Sequence, residues 1–163
     1  MVKTFRNCFA SVSNDRLVDR YVKWNNNNHS CVILNVDDSC LGSSVRSGFG
    51  GIIRNTFGHY LAGFSGFIQG SSDILFAELY AIYKGFLLAK DMNIDELVCY
   101  SDSLHCVNLI KGPQVRYHIH GVLIQDINEL LSQTNVSLYH TLREENQCVD
   151  FFAKLGASSR RRP

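Results

Sequence analysis

Several features that would point to a particular partner or compartment are missing from this sequence. It has no excess of one charge, because 16 lysine and arginine residues stand against 15 aspartate and glutamate residues, for a formal net charge of +1. A general attraction to polyanions is therefore excluded, and any nucleic-acid binding must come from a local surface. It also lacks an apolar run of membrane-spanning length, and its first twelve residues lack the apolar stretch of a secretory signal. We expect an intracellular protein with no membrane partner, in the nucleus or the cytoplasm.

The cysteines lack the spacing of a metal site. There are six of them, without a C-x-x-C pair and without histidines at zinc-site spacing. We therefore interpret them as reduced thiols. No internal repeat is visible, and 163 residues with 45% hydrophobic and 19% charged residues are typical of one folded domain that needs no covalent staples.

Composition along the chain suggests three segments. Residues 1–30 end in the polar run WNNNNHS and show no helical or strand period, so they are predicted to be an N-terminal extension and linker. Residues 31–157 are the predicted domain, and residues 158–163 form a basic tail. We expect a monomer or a part of a larger polyprotein.

Hydrophobic periodicity predicts three strands before the first helix. CVILNVD is apolar on both faces, as a covered central strand would be, and GFGGIIRN and HYLAGFSGFI follow it as an antiparallel meander. From Asp73 the period becomes helical, with core-facing positions at Leu75, Leu79, Ile82, Phe86 and Ala89. Ser72 or Asp73 can cap this helix.

The second half of the sequence alternates helices with strands. ELVCYSD is a predicted fourth strand, followed by a short helix from Ser103 to Ile110 and a longer one with core positions Ile119, Leu123, Ile127 and Leu130. VSLYHTL is a fifth strand, and Glu144 to Gly156 a final helix. The order βββαβααβα predicts an α/β fold, a five-stranded mixed sheet with helices on both faces.

Four acidic residues stand where this fold would bring them together. Asp37 and Asp102 end the first and fourth strands, and would share one sheet edge if those strands are parallel neighbours. Glu78 borders the core-facing stripe of the first helix, and Asp150 lies between apolar residues in the last helix. For each residue alone, solvation or helix capping is the commoner role.

Converging carboxylates repel one another unless cations neutralise them. Oxygen ligands without cysteine or histidine favour a hard ion such as Mg²⁺ or Mn²⁺, and a pair of such ions can activate water and stabilise the leaving oxygen of a phosphodiester. The pattern therefore allows a metal-dependent phosphodiesterase, which spacing alone does not establish.

Four motifs follow one another in residues 23–157. VKWNNNNHSCVILNVDDS contains a V-x-W segment and a strand that fits L-N-V-D-G-S except for one glycine, and FAELYAIYKGFLLA contains FAEL-x-A in a helix. YSDSLHCVNLI contains SDS at a strand end, and REENQCVDFFAKLG begins with R-E-x-N in the closing helix. In these motifs and their order the sequence resembles the plant ribonuclease H-like domains (RNase H type 1) of retroelement-derived, reverse-transcriptase-related proteins.

This resemblance implies a ribonuclease H-like fold and a hydrolase that cuts the RNA strand of RNA/DNA hybrids. It implies Mg²⁺, as two ions for which Mn²⁺ could substitute, and it assigns both the catalytic and the metal-ligand roles to Asp37, Glu78, Asp102 and Asp150. Asp38, which stands at the family's glycine, and Ser39 are the candidate substrate-contacting residues. At Asp38 the added carboxylate is expected to repel the substrate phosphate.

A second function remains open from the sequence. The chain could keep the fold as a weakly active or inactive module that binds nucleic acid or protein, which the near-neutral charge and Asp38 both favour. Metal-dependent cleavage separates the two hypotheses.

Overall fold

The fold was obtained as a computed structural model, which describes residues 2–6, 31–40, 46–70, 73–113 and 118–143. Within these ranges the strands are β1 Val2–Arg6, β2 Val32–Cys40, β3 Arg46–Arg54, β4 Tyr60–Gln69, β5 Glu96–Ser101 and β6 Asn135–His140. The helices are α1 Ile74–Asp91, α2 Leu104–Lys111 and α3 Gly121–Gln133. The predicted helix over 144–156 lies outside the described residues.

All six strands form one mixed sheet in the order β1-β4-β3-β2-β5-β6. β1, β4, β3 and β2 are paired antiparallel, whereas β2, β5 and β6 are parallel. The five predicted strands and their mixed arrangement are confirmed. The sheet has one further strand, β1, which pairs along β4 from within the segment that the sequence analysis assigned to an extension. Its five residues, VKTFR, are too few to show a period among polar neighbours.

Helix α1 covers the centre of the sheet and places Glu78. Its buried stripe includes Leu79, Ile82 and Phe86, which join Leu34 and Val36 of β2 in the main core. Gly85 allows the helix to lie close to β2, because a Cβ at this position would come within 2.5 Å of Leu34 Cδ2. The middle of α1 therefore packs closely against β2.

Residues of β2 and β5 alternate between two apolar clusters. Leu34 and Val36 contribute to the core beneath α1, whereas Ile33 packs with Val98 and Tyr100 in a second cluster. Neighbouring strand residues point to opposite faces. The sheet is therefore buried on both faces at β2, as the doubly apolar pattern of that strand predicts. No described helix is long and apolar enough to cross a membrane.

Asp73 caps α1, as predicted. Its Oδ1 accepts a hydrogen bond from the backbone N–H of Phe76 at 3.1 Å, and its Oδ2 lies 2.7 Å from Nε2 of His120, the residue before α3. Burial alone would raise the pKa of Asp73, but the Phe76 N–H and His120 hold it below its ordinary value. One carboxylate thus joins the starts of two helices.

We expect Asp73→Ala to lower the free energy of unfolding by about 1 kcal/mol, because both the cap and the contact with His120 are lost. Asp73→Asn keeps a capping oxygen and should lie between the alanine variant and wild type. Because the pKa of Asp73 is lowered, its extra stabilisation is complete above the unfolded-state pKa of about 4 and fades as the pH falls through the folded value. Urea unfolding at pH 7 measures the effect, and equal midpoints for the alanine variant and wild type would contradict it.

Candidate metal centre

Two aspartates lie side by side where the pairing of β2 with β5 ends, Asp37 within β2 and Asp102 directly after β5. The strands are parallel neighbours with Val36 opposite Ser101, so Asp37 and Asp102 each follow a paired position. Positions that follow the same pair of parallel strands lie at the same edge of a sheet. The condition on which the predicted juxtaposition depended is fulfilled.

Glu78 reaches this edge from α1 and is completely buried, with 0% of its surface exposed. Its Oε1 accepts a short hydrogen bond from Oγ of Ser101, the last residue of β5. The same Oγ accepts a hydrogen bond from the backbone N–H of Ser103 at 3.1 Å, where α2 begins. Ser101 therefore fixes the glutamate relative to the strand end that carries Asp102.

Three carboxylates converge at this point. Asp37, Asp38 and Glu78 each offer an oxygen, and these three oxygens lie within 4.8 Å of one another. Asp37 and Glu78 are buried and Asp38 is half-buried. A second contact orders the pair of aspartates, because the backbone N–H of Asp38 donates to Asp37 Oδ1 at 2.9 Å. We call Asp37, Asp38 and Glu78 the carboxylate cluster.

Asp102 lies beside the carboxylate cluster without belonging to it. Its Oδ2 is 3.8 Å from Nε of Arg143, whose side chain is 82% exposed while that of Asp102 is 11% exposed. An ion pair with so exposed a partner stabilises the fold little. Asp102 is near enough for its charge to raise the pKa of Asp38.

The cluster strongly disfavours its own ionisation. Burial, with the negative charge of Asp102 as a smaller contribution, raises the pKa of Asp38 to about 6 against the opposing effects of Glu78 and Arg143. Burial raises the pKa of Glu78 well above its ordinary value, and the charges of Asp38 and Asp37 raise it further. Without a cation, the site holds protons where isolated carboxyls would have lost them.

The donor set fits a hard divalent cation. Glu78 Oε2 is buried and accepts no hydrogen bond from a donor group of the described residues, whereas Oε1 is satisfied by Ser101. The carboxyl of Asp38 is close enough to Glu78 for the two to share a proton. A buried carboxylate oxygen without a partner costs free energy that a bound cation would offset. The cluster consists of oxygen donors, as Mg²⁺ and Mn²⁺ prefer. Cys99 and Cys106 also lie near Glu78. Burial, and to a smaller extent the negative charge of Glu78, raises the pKa of each thiol, so both thiols stay protonated.

The sequence-predicted site residues have different outcomes. Asp37 and Glu78 lie together, and Asp102 directly follows the neighbouring strand β5. Asp37 was predicted to end its strand, but β2 continues to Cys40 because Asp38, Ser39 and Cys40 still pair with β3. Asp150 lies outside the described residues, so its place near them stays a prediction. Ser39 is buried and paired opposite Gly48 in β3.

Two members of the site were missed as such. Ser101 precedes Asp102 in the SDS motif, and the sequence carries no signal that its hydroxyl would bind Glu78. Asp38 was identified only as a candidate substrate contact, which stays a prediction, and the structure also places it within the carboxylate cluster. The signal was available in the period of the strand, since Leu34, Val36 and Asp38 are alternate residues and share the face under α1.

The sequence that forms this site matches the model of a known protein family. The model of the reverse transcriptase-like family matches residues 35–156, which include the described carboxylates of both strands and of α1. The chain belongs to the reverse transcriptase-like family. No curated protein sequence matches it significantly.

Solved structures show that this member of the reverse transcriptase-like family has the ribonuclease H-like fold. The N-terminal RNase H domain of a Mycobacterium tuberculosis protein is 20% identical with a TM-score of 0.68, and 77% of this chain covers 92% of that chain. RNase H1 of the archaeon Halobacterium salinarum is 20% identical with a TM-score of 0.69, covering 77% and 96% of the two chains. LC11-RNase H1, from a compost metagenome and solved in complex with an RNA/DNA hybrid, is 19% identical with a TM-score of 0.68, covering 77% and 96%.

Proposed function

We propose that this chain is a divalent-metal-dependent endonuclease that hydrolyses the RNA strand of RNA/DNA hybrids, as a plant retroelement-derived domain of the RNase H type 1 kind. The observation that carries the proposal is the carboxylate cluster with the unpartnered Glu78 Oε2, at the sheet edge of a ribonuclease H-like fold. The hybrid bound to LC11-RNase H1, a protein of similar fold, supports the choice of substrate.

The residues of the chain have separate tasks in this proposal. Asp37 and Glu78 hold the ions together with Asp102 and, as the resemblance implies, Asp150. Two Mg²⁺ ions, when bound by these residues, would supply an activated water and stabilisation of the departing phosphodiester oxygen. Ser101 keeps Glu78 in position through its hydroxyl hydrogen bond. Burial of Glu78 within an apolar core limits its movement, so the ligand geometry is set before substrate arrives.

The experiment is a cleavage assay with labelled RNA/DNA hybrid, single-stranded RNA and double-stranded DNA, in Mg²⁺, Mn²⁺ or chelator. Wild type should cleave the RNA of the hybrid only with a divalent ion. Asp102→Asn should lower the rate by about a hundredfold or more, because the variant misplaces the ions while the side-chain shape is kept. Asp95→Asn, an exposed residue before the opposite end of β5, removes the same charge and should leave the rate unchanged.

Two outcomes would contradict the proposal. Full cleavage by Asp102→Asn beside an active wild type would remove Asp102 from the site. No cleavage by wild type under any ion, with hybrid still bound, would favour the alternative, a nucleic-acid-binding module without activity. One observation favours that alternative: Asp38 adds a carboxylate at the edge of the sheet where the substrate phosphate would approach.

A further inference from the structure

We propose that Asp38 is itself a cation ligand, so that this chain carries a three-carboxylate site formed by Asp37, Asp38 and Glu78 that takes a hard divalent ion even without nucleic acid. The inference deepens the proposed function and rests on it for the ion's role. The family motif has glycine at this position, so Asp38 adds a donor that the resemblance does not assign.

The position of Asp38 on β2 carries the first step. Leu34 and Val36 pack in the core under α1, and alternation along the strand gives Asp38 the same face. Glu78 lies on that helix with its Oε2 buried and unpartnered. Asp38 therefore meets Glu78 across the contact between β2 and α1, in a position fixed by the packing of both elements.

The distances carry the second step. Ligand oxygens bound to one Mg²⁺ or Mn²⁺ lie about 2.0 to 2.2 Å from the ion, so neighbouring ligand oxygens are separated by about 3 Å and opposite ones by about 4 Å. The oxygens of Asp37, Asp38 and Glu78 lie within 4.8 Å of one another, and small side-chain movements would bring them to those spacings. Asp102 is not part of this group and has Arg143 beside its Oδ2.

The charge balance carries the third step. The described cation that acts on Asp38 is Arg143, which lies beside Asp102 and is mostly exposed to solvent. A screened guanidinium cannot neutralise three carboxylates packed around a buried oxygen, so without a metal ion they are neutralised in part by protons. A divalent ion can replace those protons, and three protein oxygens are available to bind it before a substrate phosphate is present.

Metal binding without nucleic acid tests the inference. Mn²⁺ binding to the full chain at pH 7.5 is followed by the electron paramagnetic resonance signal of free Mn²⁺ and by calorimetry. Wild type should bind Mn²⁺, and both Asp38→Asn and Asp38→Gly should weaken that binding by about tenfold or more, because one of three charged donors is lost. Asp95→Asn is the matched control and should stay within about twofold of wild type.

The alternative role for Asp38 predicts a different effect of its substitution on binding. If its carboxylate only repels substrate phosphate, as the sequence suggests, Asp38→Gly should bind hybrid more tightly at low salt and bind Mn²⁺ as wild type does. That pair of results would overturn the inference, and so would a wild type that binds no Mn²⁺ alone. Circular dichroism of each variant verifies that the fold is kept.

The two proposals fail in different measurements. Mn²⁺ binding that is lost in Asp38→Asn, in a protein that cleaves no hybrid, would support the three-carboxylate site and reject the endonuclease. Hybrid cleavage with Mn²⁺ binding unchanged in Asp38→Asn would do the reverse. Activity is therefore not needed to read the result.

Discussion

Glu78→Gln should remove hybrid cleavage and at the same time stabilise the protein at neutral pH. The carboxylate is fully buried, its Oε2 has no partner among the described residues, and two other acidic residues lie against it. A neutral amide of the same shape keeps an oxygen for the Ser101 hydroxyl and removes the cost of a buried charge, which is of order several kcal/mol when unpaired. It also removes a metal ligand.

The expected results are a cleavage rate lower by about a hundredfold or more and an unfolding free energy, measured in chelator at pH 8, higher by about 1 to 3 kcal/mol. Urea unfolding and a hybrid cleavage assay on the same preparation give both numbers. Ser101→Ala is the comparison, because it takes away a hydrogen bond but keeps the charge; it should destabilise the fold. If Glu78→Gln were less stable than wild type, the packing and hydrogen bonds of the glutamate would stabilise the fold by more than its buried charge destabilises it.

The order of strands and helices was predictable because each element has enough residues to show a period. β2 is apolar on both faces and is paired between β3 and β5, and α1 repeats its core positions over five turns. β1 was not predictable in this way. Its five residues have no period of their own, and the strand is defined by pairing with β4, some 60 residues further along the chain.

The site was predictable to the level of its motifs. Strand ends and a helical stripe identified Asp37, Glu78 and Asp102 as residues of one edge, because element type fixes where such positions fall. Which carboxylates touch was not predictable from motif matching, since that depends on how closely α1 approaches β2. Gly85 lies in this contact, where a Cβ would come within 2.5 Å of Leu34 Cδ2.

In the absence of divalent ions the protein should lose stability as the pH rises from 5 to 8. The folded-state pKa of Asp38 is raised to about 6, above its unfolded value, and that of Glu78 is raised further. The folded state therefore binds protons more tightly than the unfolded state, and the resulting stabilisation is complete at acid pH and lost as the pH rises through the folded pKa. Asp73, with its lowered pKa, is ionised throughout this range and does not contribute to the slope.

We expect the free energy of unfolding in chelator to fall by about 1 to 3 kcal/mol between pH 5 and pH 8, from urea unfolding at both values. Asp38→Asn should reduce the fall, and Asp95→Asn should follow wild type. Saturating Mg²⁺ should restore stability at pH 8, by about 2.7 kcal/mol at a hundred times its dissociation constant, and much less at pH 5, where protons compete for the same oxygens. A protein equally stable at both pH values in chelator would mean that the three carboxylates are exposed to water in solution. The buried carboxylate cluster would then not exist. A fall with pH that Mg²⁺ does not reverse would mean instead that the cluster is buried but does not hold this ion, because only a bound cation can compensate the charges that the rising pH uncovers.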